Sequence, residues 1–137
     1  MRVDEAIRAR RAIKWYDPEH QMPEETFLKL FEHAILAPTA FNIQNWRFVR
    51  VTDLEQRKAI RAVAWDQAQV TDASELLVLC FDDKSWQRDP QRYWRNAPQE
   101  VQDFLVPAID DYYRDKPQVE HDEGMRSCGI VGQTIML

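Results

Sequence analysis

The distribution of glycine is the feature that most restricts how this chain can fold. The 137 residues contain only three glycines, Gly124, Gly129 and Gly132, so the first 123 residues have none. Glycine usually makes up about 7% of a globular protein. Walker A loops and dinucleotide-binding loops need glycine so that the backbone can approach a phosphate closely. Both loops are therefore excluded here, and any nucleotide must be bound by side chains and by non-glycine backbone.

The composition indicates one globular domain, which we expect to span residues 1–137. Hydrophobic residues make up 45% of the chain, which is enough for a core. The net charge of −5 argues against a nucleic-acid partner, which requires a basic face. No apolar run approaches the roughly 20 residues that span a bilayer, so we expect no membrane partner.

The two cysteines, Cys80 and Cys128, lack the spacing of metal ligands. Cys80 lies in an apolar run, so we expect a buried thiol there. Together with an N-terminus that lacks the apolar core of a secretory signal, this predicts a reducing, cytoplasmic setting.

Apolar periodicity predicts a mixture of helices and strands. Helices are expected at residues 3–11, 23–37, 53 to about 65, 99–114 and 124–137, and strands at 46–52 and 76–81. His33 falls off the apolar stripe of the helix at 23–37 and should be exposed; the stripe consists of Phe27, Leu30, Phe31, Ala34 and Ile35. Asp53 with Gln56 resembles a capping box that opens the next helix, and the helix at 99–114 should be kinked near Pro107. The almost unbroken apolar run at 76–81 is typical of a strand that is buried on both faces. We expect residues 83–96, which include Trp86, Tyr93 and Trp94, to form an insertion or lid, and residues 116–123 to form a polar linker.

The loop between the second helix and the first strand is the first candidate binding segment. Residues 38–48 combine small and amide residues with aromatic ones, and rigid elements flank them. Loops held in this way often carry binding groups. The alternative is a well-packed loop whose amides satisfy its own backbone.

A second candidate segment contains three cations within five positions, Arg10, Arg11 and Lys14. Arginine can bind a phosphate in bidentate fashion, and lysine adds a compact charge, so an anion site is one interpretation. The other interpretation is that these cations simply complement the C-terminal end of a helix dipole.

The last helix carries small residues at Ser127, Cys128, Gly129 and Gly132, which predict a packing or dimer seam. The sequence then ends at residues 135–137 inside an apolar helical pattern, with no polar end. We therefore expect the domain to be incomplete at its C-terminus.

Three stretches in order, 10–18, 34–48 and 67–74, resemble the nitroreductase family of FMN-dependent oxidoreductases. The resemblance implies an α+β fold, with a central, mostly antiparallel sheet flanked by helices. It also implies a homodimer with one FMN at each of two subunit interfaces. The later part of the family's fold is missing from these 137 residues.

The resemblance also implies a set of cofactor-binding residues. Arg10, Arg11 and Ala12 match the flavin-binding segment, with the arginines toward the phosphate, and Lys14 matches a position near the pyrimidine end of the ring. Pro38, Thr39, Ala40 and Asn42 match a loop that reaches the flavin from the partner subunit. Asp66 and Gln69 match positions of polar contacts, although asparagine is frequent where Asp66 stands.

The implied activity passes hydride from NAD(P)H to a nitroaromatic, quinone or similar small-molecule acceptor by a ping-pong mechanism. Such an enzyme needs no nucleophile or metal, because the flavin carries the redox chemistry. The three histidines, His20, His33 and His121, accordingly form no convincing ligand set.

Two alternatives remain open. The chain is either such an enzyme or a non-catalytic fragment or pseudoenzyme that acts as a dimerising scaffold without productive flavin. Within the enzyme class, flavin destruction or dehalogenation is a further alternative, with residues 86–94 as its substrate lid.

Overall fold

The computed structural model describes residues 2–137 as helices arranged around a two-stranded sheet. The elements in chain order are α1 (Val3–Ala9), α2 (Glu24–Ala34), β1 (Trp46–Arg50), α3 (Leu54–Val63), α4 (Gln69–Asp72), β2 (Leu77–Phe81), α5 (Gln99–Tyr113) and α6 (Pro117–Met136). Short 3₁₀ turns lie at Ala40–Asn42, Ser85–Gln87 and Pro90–Tyr93. The predicted α+β class is confirmed.

The strands β1 and β2 pair antiparallel, with Trp46 opposite Phe81 and Arg50 opposite Leu77. Backbone hydrogen bonds extend the pairing at both ends, from Val51 N to Leu76 O and from Asp82 N to Asn45 O, each 2.9 Å long. The sheet therefore fixes the start of β1 at the end of the loop that holds the first candidate binding segment.

The helix α6 packs across this sheet through its small residues. A Cβ atom built on Gly124 would lie only 2.6 Å from Phe81 Cγ, and one on Gly132 would lie 3.1 Å from Leu79 Cδ1. Within residues 2–137, no atom outside the helix backbone lies within 4 Å of a Cβ on Gly129. The predicted packing seam is thus present at Gly132 but not at Gly129, and it includes Gly124, which was not predicted as part of it.

A first apolar cluster joins α2, β1 and α6. It consists of Ala34, Ala37, Trp46 and Val131, with Phe48 and Ile135 packed against it. Two of the residues predicted for the apolar stripe of α2, Phe27 and Ala34, are buried. His33, which falls off that stripe, is exposed as expected.

A second apolar cluster joins α5 to the segment after β2. It consists of Ile43, Trp86, Ile109 and Tyr113. The rings of Trp86 and Tyr113 stack with their centroids 5.7 Å apart. The expectation that Trp86 belongs to a lid is therefore wrong, because its indole is only 4% exposed and forms part of the core.

The predicted linker at 116–123 is also wrong, since these residues form the first two turns of α6. Pro117 suits the start of a helix, where its missing N–H costs nothing. Glu120 and Glu123 are buried because they have partners: Glu120 accepts a hydrogen bond of 2.8 Å from Trp86 Nε1, and Glu123 one of 3.0 Å from Tyr112. The polar sequence here thus combines two buried, hydrogen-bonded carboxylates with exposed side chains at Lys116, Gln118, His121 and Asp122.

The expectation that β2 is buried on both faces is not met within residues 2–137. Leu79 and Phe81 lie beneath α6, but Val78 on the other face is 39% exposed, and Cys80 is exposed as well. An apolar run does not specify what covers each face, and no helix of the described chain covers this one. Cys80 is therefore not the buried thiol that its sequence context predicts.

The remaining predictions differ only at their boundaries. Asp53 caps α3 by accepting a hydrogen bond of 2.8 Å from Gln56 N, as its spacing predicts, but the helix ends at Val63. Pro107 lies inside α5 as expected. Among the described helices, none combines the length and the apolar character needed to cross a membrane.

The contact at Gly124 gives a test of this packing. We expect Gly124→Ala to lower the free energy of unfolding by about 1–3 kcal/mol, because the added methyl must displace the Phe81 ring. Gly129→Ala is the matched control in the same helix, and it should leave stability unchanged or raise it by up to about 1 kcal/mol. Urea unfolding measures both, and equal effects of the two variants would contradict this packing of α6.

Candidate functional site

The cationic segment lies directly after α1 and is exposed. Arg10 forms the C-cap of α1, and Arg11, Ala12 and Lys14 follow it without regular structure. The Arg11 guanidinium donates only to backbone oxygens, those of Arg8 at 2.5 Å and Arg10 at 2.8 Å. No ion pair within residues 2–137 involves Arg10, Arg11 or Lys14. Their charges therefore remain available to an anion.

The loop at 38–45 is held in an unusual backbone conformation. Phe41, Asn42 and Gln44 have φ values of 51°, 55° and 51°, in the left-handed region. This conformation costs a residue with a side chain about 1–2 kcal/mol, and asparagine tolerates it best. Such strain persists only where the surrounding structure over-determines the backbone.

Contacts on both sides of the loop supply that constraint. Ile43 is buried in the second apolar cluster, and the Phe41 ring lies 5.3 Å from that of Tyr112. Thr39 Oγ1 accepts a hydrogen bond of 2.9 Å from Gln44 N, and Gln44 Nε2 donates to Asn42 Oδ1 at 3.1 Å. Of the predicted site residues, Pro38 and Asn42 are exposed, while Thr39 and Ala40 are half-buried.

The aromatic support beneath the loop is uncharged at neutral pH. Burial raises the pKa of Tyr113, and the hydrogen bond from the Tyr112 hydroxyl to Glu123 raises the pKa of Tyr112. Both phenols therefore keep their protons, and neither places a negative charge beneath the loop.

Asp66 lies between α3 and α4, and Gln69 is the first residue of α4. Asp66 Oδ1 accepts a hydrogen bond of 2.7 Å from Arg61 Nε, so its carboxylate is paired with a cation. Gln69 Nε2 donates to Gln67 Oε1 at 2.5 Å. The pairing of Asp66 reduces the repulsion that an unpaired carboxylate would exert on a negatively charged ligand.

Buried Arg57 fixes the chain that follows these two residues. Its guanidinium donates to the backbone oxygens of Val51 at 2.7 Å, Ala73 at 2.6 Å and Ser74 at 3.1 Å. Three carbonyl groups on two segments are thus tied to one side chain of α3. Sequence analysis did not identify this role, because the partners are backbone atoms that any residue supplies.

The three groups of predicted site residues are not bonded to one another through their side chains within residues 2–137. No side-chain hydrogen bond or ion pair joins the segments 10–14, 38–42 and 66–69 to one another. The described residues also contain no group of three or more His, Cys, Asp or Glu side chains that could hold a metal ion.

A polar groove of about 600 Å³ adjoins the loop, and Asn42 is the one predicted cofactor-binding residue in its lining. Gln44 and Arg47 also lie within the candidate binding segment at 38–48. The groove is lined by Asn42, Gln44, Arg47, Arg92, Tyr93, Arg95 and Asn96. Asn42 was among the predicted site residues, but the three arginines were not. The available signal was the pair of arginines within 92–95 of an acidic chain, although nothing in the sequence places them beside Arg47.

Comparison with known proteins is consistent with this arrangement of helices, loop and sheet. Protein DrgA of Synechocystis is 49% identical over 133 residues, which cover 97% of this chain and 63% of DrgA. The chain thus spans less than two thirds of that relative.

Two crystal structures share the fold. One is a candidate nitroreductase from Exiguobacterium sibiricum in complex with FMN, with a TM-score of 0.85 and 27% identity, covering 99% of this chain and 68% of that one. The other is the NADPH:FMN oxidoreductase of Vibrio harveyi complexed with NAD⁺, with a TM-score of 0.69 and 26% identity. The match covers 96% of this chain and 48% of the Vibrio harveyi chain.

The sequence pattern typical of the Nitroreductase family matches residues 7–137, which is almost the whole chain. This match takes in the cationic segment, the strained loop and α6. The chain therefore belongs to the nitroreductase family.

Proposed function

We propose that the protein is an FMN-dependent oxidoreductase that passes hydride from NAD(P)H to a small acceptor, such as a nitroaromatic or a quinone, in two ping-pong half-reactions. The observation that carries the proposal is the group of unpaired cations at Arg10, Arg11 and Lys14 in a member of this family. The similar proteins described as an FMN complex and as an NADPH:FMN oxidoreductase support it.

The chemistry of the cationic segment fits the phosphate end of FMN. Arg10 and Arg11 are exposed, lie on neighbouring positions and have no carboxylate partner within residues 2–137. A phosphate dianion prefers such guanidinium donors, which can form two parallel hydrogen bonds each. Ala12, which follows them, offers only its backbone to the ligand.

Lys14 is proposed to serve the ring end of the cofactor. When bound, FMN supplies reversible hydride acceptance at its ring. The Lys14 ammonium provides a positive charge where reduction adds negative charge to the ring. A charge in this position stabilises the reduced state and lowers the activation barrier for its formation. Asp66 and Gln69 are proposed as further polar contacts to the cofactor. The ion pair with Arg61 partly neutralises the Asp66 carboxylate, which reduces its repulsion of a negatively charged ring.

The loop residues Pro38, Thr39, Ala40 and Asn42 are proposed to reach the cofactor held by a second copy of the chain. This arrangement requires no bond between the loop and the cationic segment of one chain, and no side-chain hydrogen bond or ion pair within residues 2–137 joins them. Large apolar side chains beside the proposed site segments are strongly exposed, with Trp15 at 84%, Leu36 at 77% and Trp65 at 91%. Exposed apolar surface of this kind is typical of an interface, and we propose a homodimer.

We further propose that residues 1–137 form a single domain and that the protein works in the cytoplasm. Both cysteines are free thiols, which suits a reducing compartment.

A phosphate role for Arg10 can be tested by comparing two flavins. Arg10→Ala should weaken binding of FMN about tenfold or more, because hydrogen bonds to charged groups contribute about 1.5–3 kcal/mol. Riboflavin, which lacks the phosphate, should bind almost as before. Arg8→Ala removes an equal charge two residues earlier and is the control. Fluorescence titration measures each dissociation constant, and equal losses for the two flavins would exclude the phosphate role.

A role for Lys14 at the ring of the cofactor predicts an effect on the rate of flavin reduction. Lys14→Ala should slow the reduction of bound flavin by NADH about tenfold, because a charge that stabilises the reduced ring is lost. Lys29→Ala, which removes an exposed lysine from α2, should have no effect. Anaerobic stopped-flow absorbance measures the rate, and an unchanged rate with unchanged flavin content would remove Lys14 from the site.

A further inference from the structure

The groove beside the strained loop gathers positive charge in an acidic protein. Three of its lining residues, Arg47, Arg92 and Arg95, are arginines, and none of the others is a carboxylate. The whole chain carries a net charge of −5. A concave surface lined by one sign of charge concentrates the opposite charge from solution. The groove is therefore complementary to an anion although the protein as a whole is not.

Arg47 is the fixed member of this set. Its guanidinium donates to Trp46 O at 2.8 Å, to Asp82 Oδ2 at 3.1 Å and to Ser85 Oγ at 3.2 Å. Asp82 also accepts from Arg88 Nη1 at 2.8 Å, so one carboxylate is shared between two guanidinium groups. Arg47 thus keeps part of its charge unneutralised while its position is set by the sheet and the turn after β2.

Arg92 and Arg95 carry the free charge. Arg92 bonds to the hydroxyl of Tyr93 and lies over its ring, with 4.5 Å from Cζ to the centroid. Within residues 2–137, Arg95 forms no side-chain hydrogen bond, and neither arginine has a carboxylate partner. Both are exposed, and the amides of Asn42, Gln44 and Asn96 add neutral donors to the same groove.

We propose that this groove binds the oxyanion group, carboxylate or phosphate, of a small molecule. Guanidinium groups and amide donors are the side chains that recognise both oxyanions. The groove shares Asn42 with the loop that we propose to contact the cofactor. If the protein has the proposed function, the groove would hold the oxyanion group of the substrate. Oxyanion binding by the groove does not itself depend on that function.

The test measures the dissociation constants of two probes, benzoate and inorganic pyrophosphate, for the 137-residue chain by isothermal titration calorimetry. The variants are Arg92→Ala and Arg95→Ala, which remove exposed side chains and leave the Arg47 contacts intact. We expect each to weaken binding of at least one probe about tenfold or more, since a charged hydrogen bond is lost. A loss for benzoate assigns a carboxylate ligand, and a loss for pyrophosphate assigns a phosphate ligand.

Two controls separate this site from the cationic segment and from general charge effects. Lys29→Ala removes one distant positive charge and should leave both dissociation constants unchanged, and unaltered thermal unfolding shows that each variant is folded. Arg10→Ala should not affect the benzoate constant, and FMN binding should survive Arg95→Ala.

Several results would overturn the proposal. These are the absence of measurable binding of both probes to the unsubstituted chain, equal losses in Lys29→Ala and Arg95→Ala, or losses confined to Arg10→Ala. If the chain binds benzoate through Arg95 but takes up no FMN, the proposed function fails while the oxyanion groove stands.

Discussion

The close approach of α6 to the sheet is the contact on which the rest of the structure depends. At Gly124 there is no space for a side chain beside the Phe81 ring, and a Cβ on Gly132 would be in tight contact with Leu79 at 3.1 Å. This approach brings Val131, which is fully buried, against Trp46 at the start of β1 and Ala34 at the end of α2. Both ends of the loop at 38–45 are thereby anchored through one helix.

The loop at 38–45 is anchored in both apolar clusters, and this constrains its backbone. Trp46 belongs to the first apolar cluster, while Ile43, three residues earlier, belongs to the second. Reaching both cores within so short a distance leaves the intervening residues little freedom. The positive φ value at Gln44 follows from this constraint. Asn42, just before Ile43, also has a positive φ, and the amide side chains of both residues line the groove. Burial elsewhere thus stabilises a local conformation that would be unfavourable alone.

Much of the fold could be predicted because its signals are local. The apolar stripe predicts α2, the Asp53–Gln56 spacing predicts the start of α3, and the small residue at Gly132 predicts close packing. The errors arise where a residue's partner lies far away in sequence. Glu120 is polar but buried because Trp86 donates to it, and Cys80 is apolar but exposed because nothing in residues 2–137 covers that face.

The same limit applies to the candidate site. The cationic segment and the loop were predicted because each is continuous in sequence and matches a family pattern. The oxyanion groove was not, because Arg47 and Arg95 are brought together only by the pairing of β1 with β2 and by the turns that follow. Sequence periodicity does not predict that these arginines lie close together. The negative net charge of the whole chain does not indicate a locally positive groove either.

The most direct test of the account is the visible absorbance spectrum of the purified chain after incubation with FMN and removal of free flavin, followed by anaerobic addition of NADH. We expect a flavin spectrum that elutes with the protein and is bleached by NADH. A colourless protein after this treatment would contradict FMN binding by the chain. A retained spectrum that NADH leaves unchanged would contradict the proposed oxidoreductase activity.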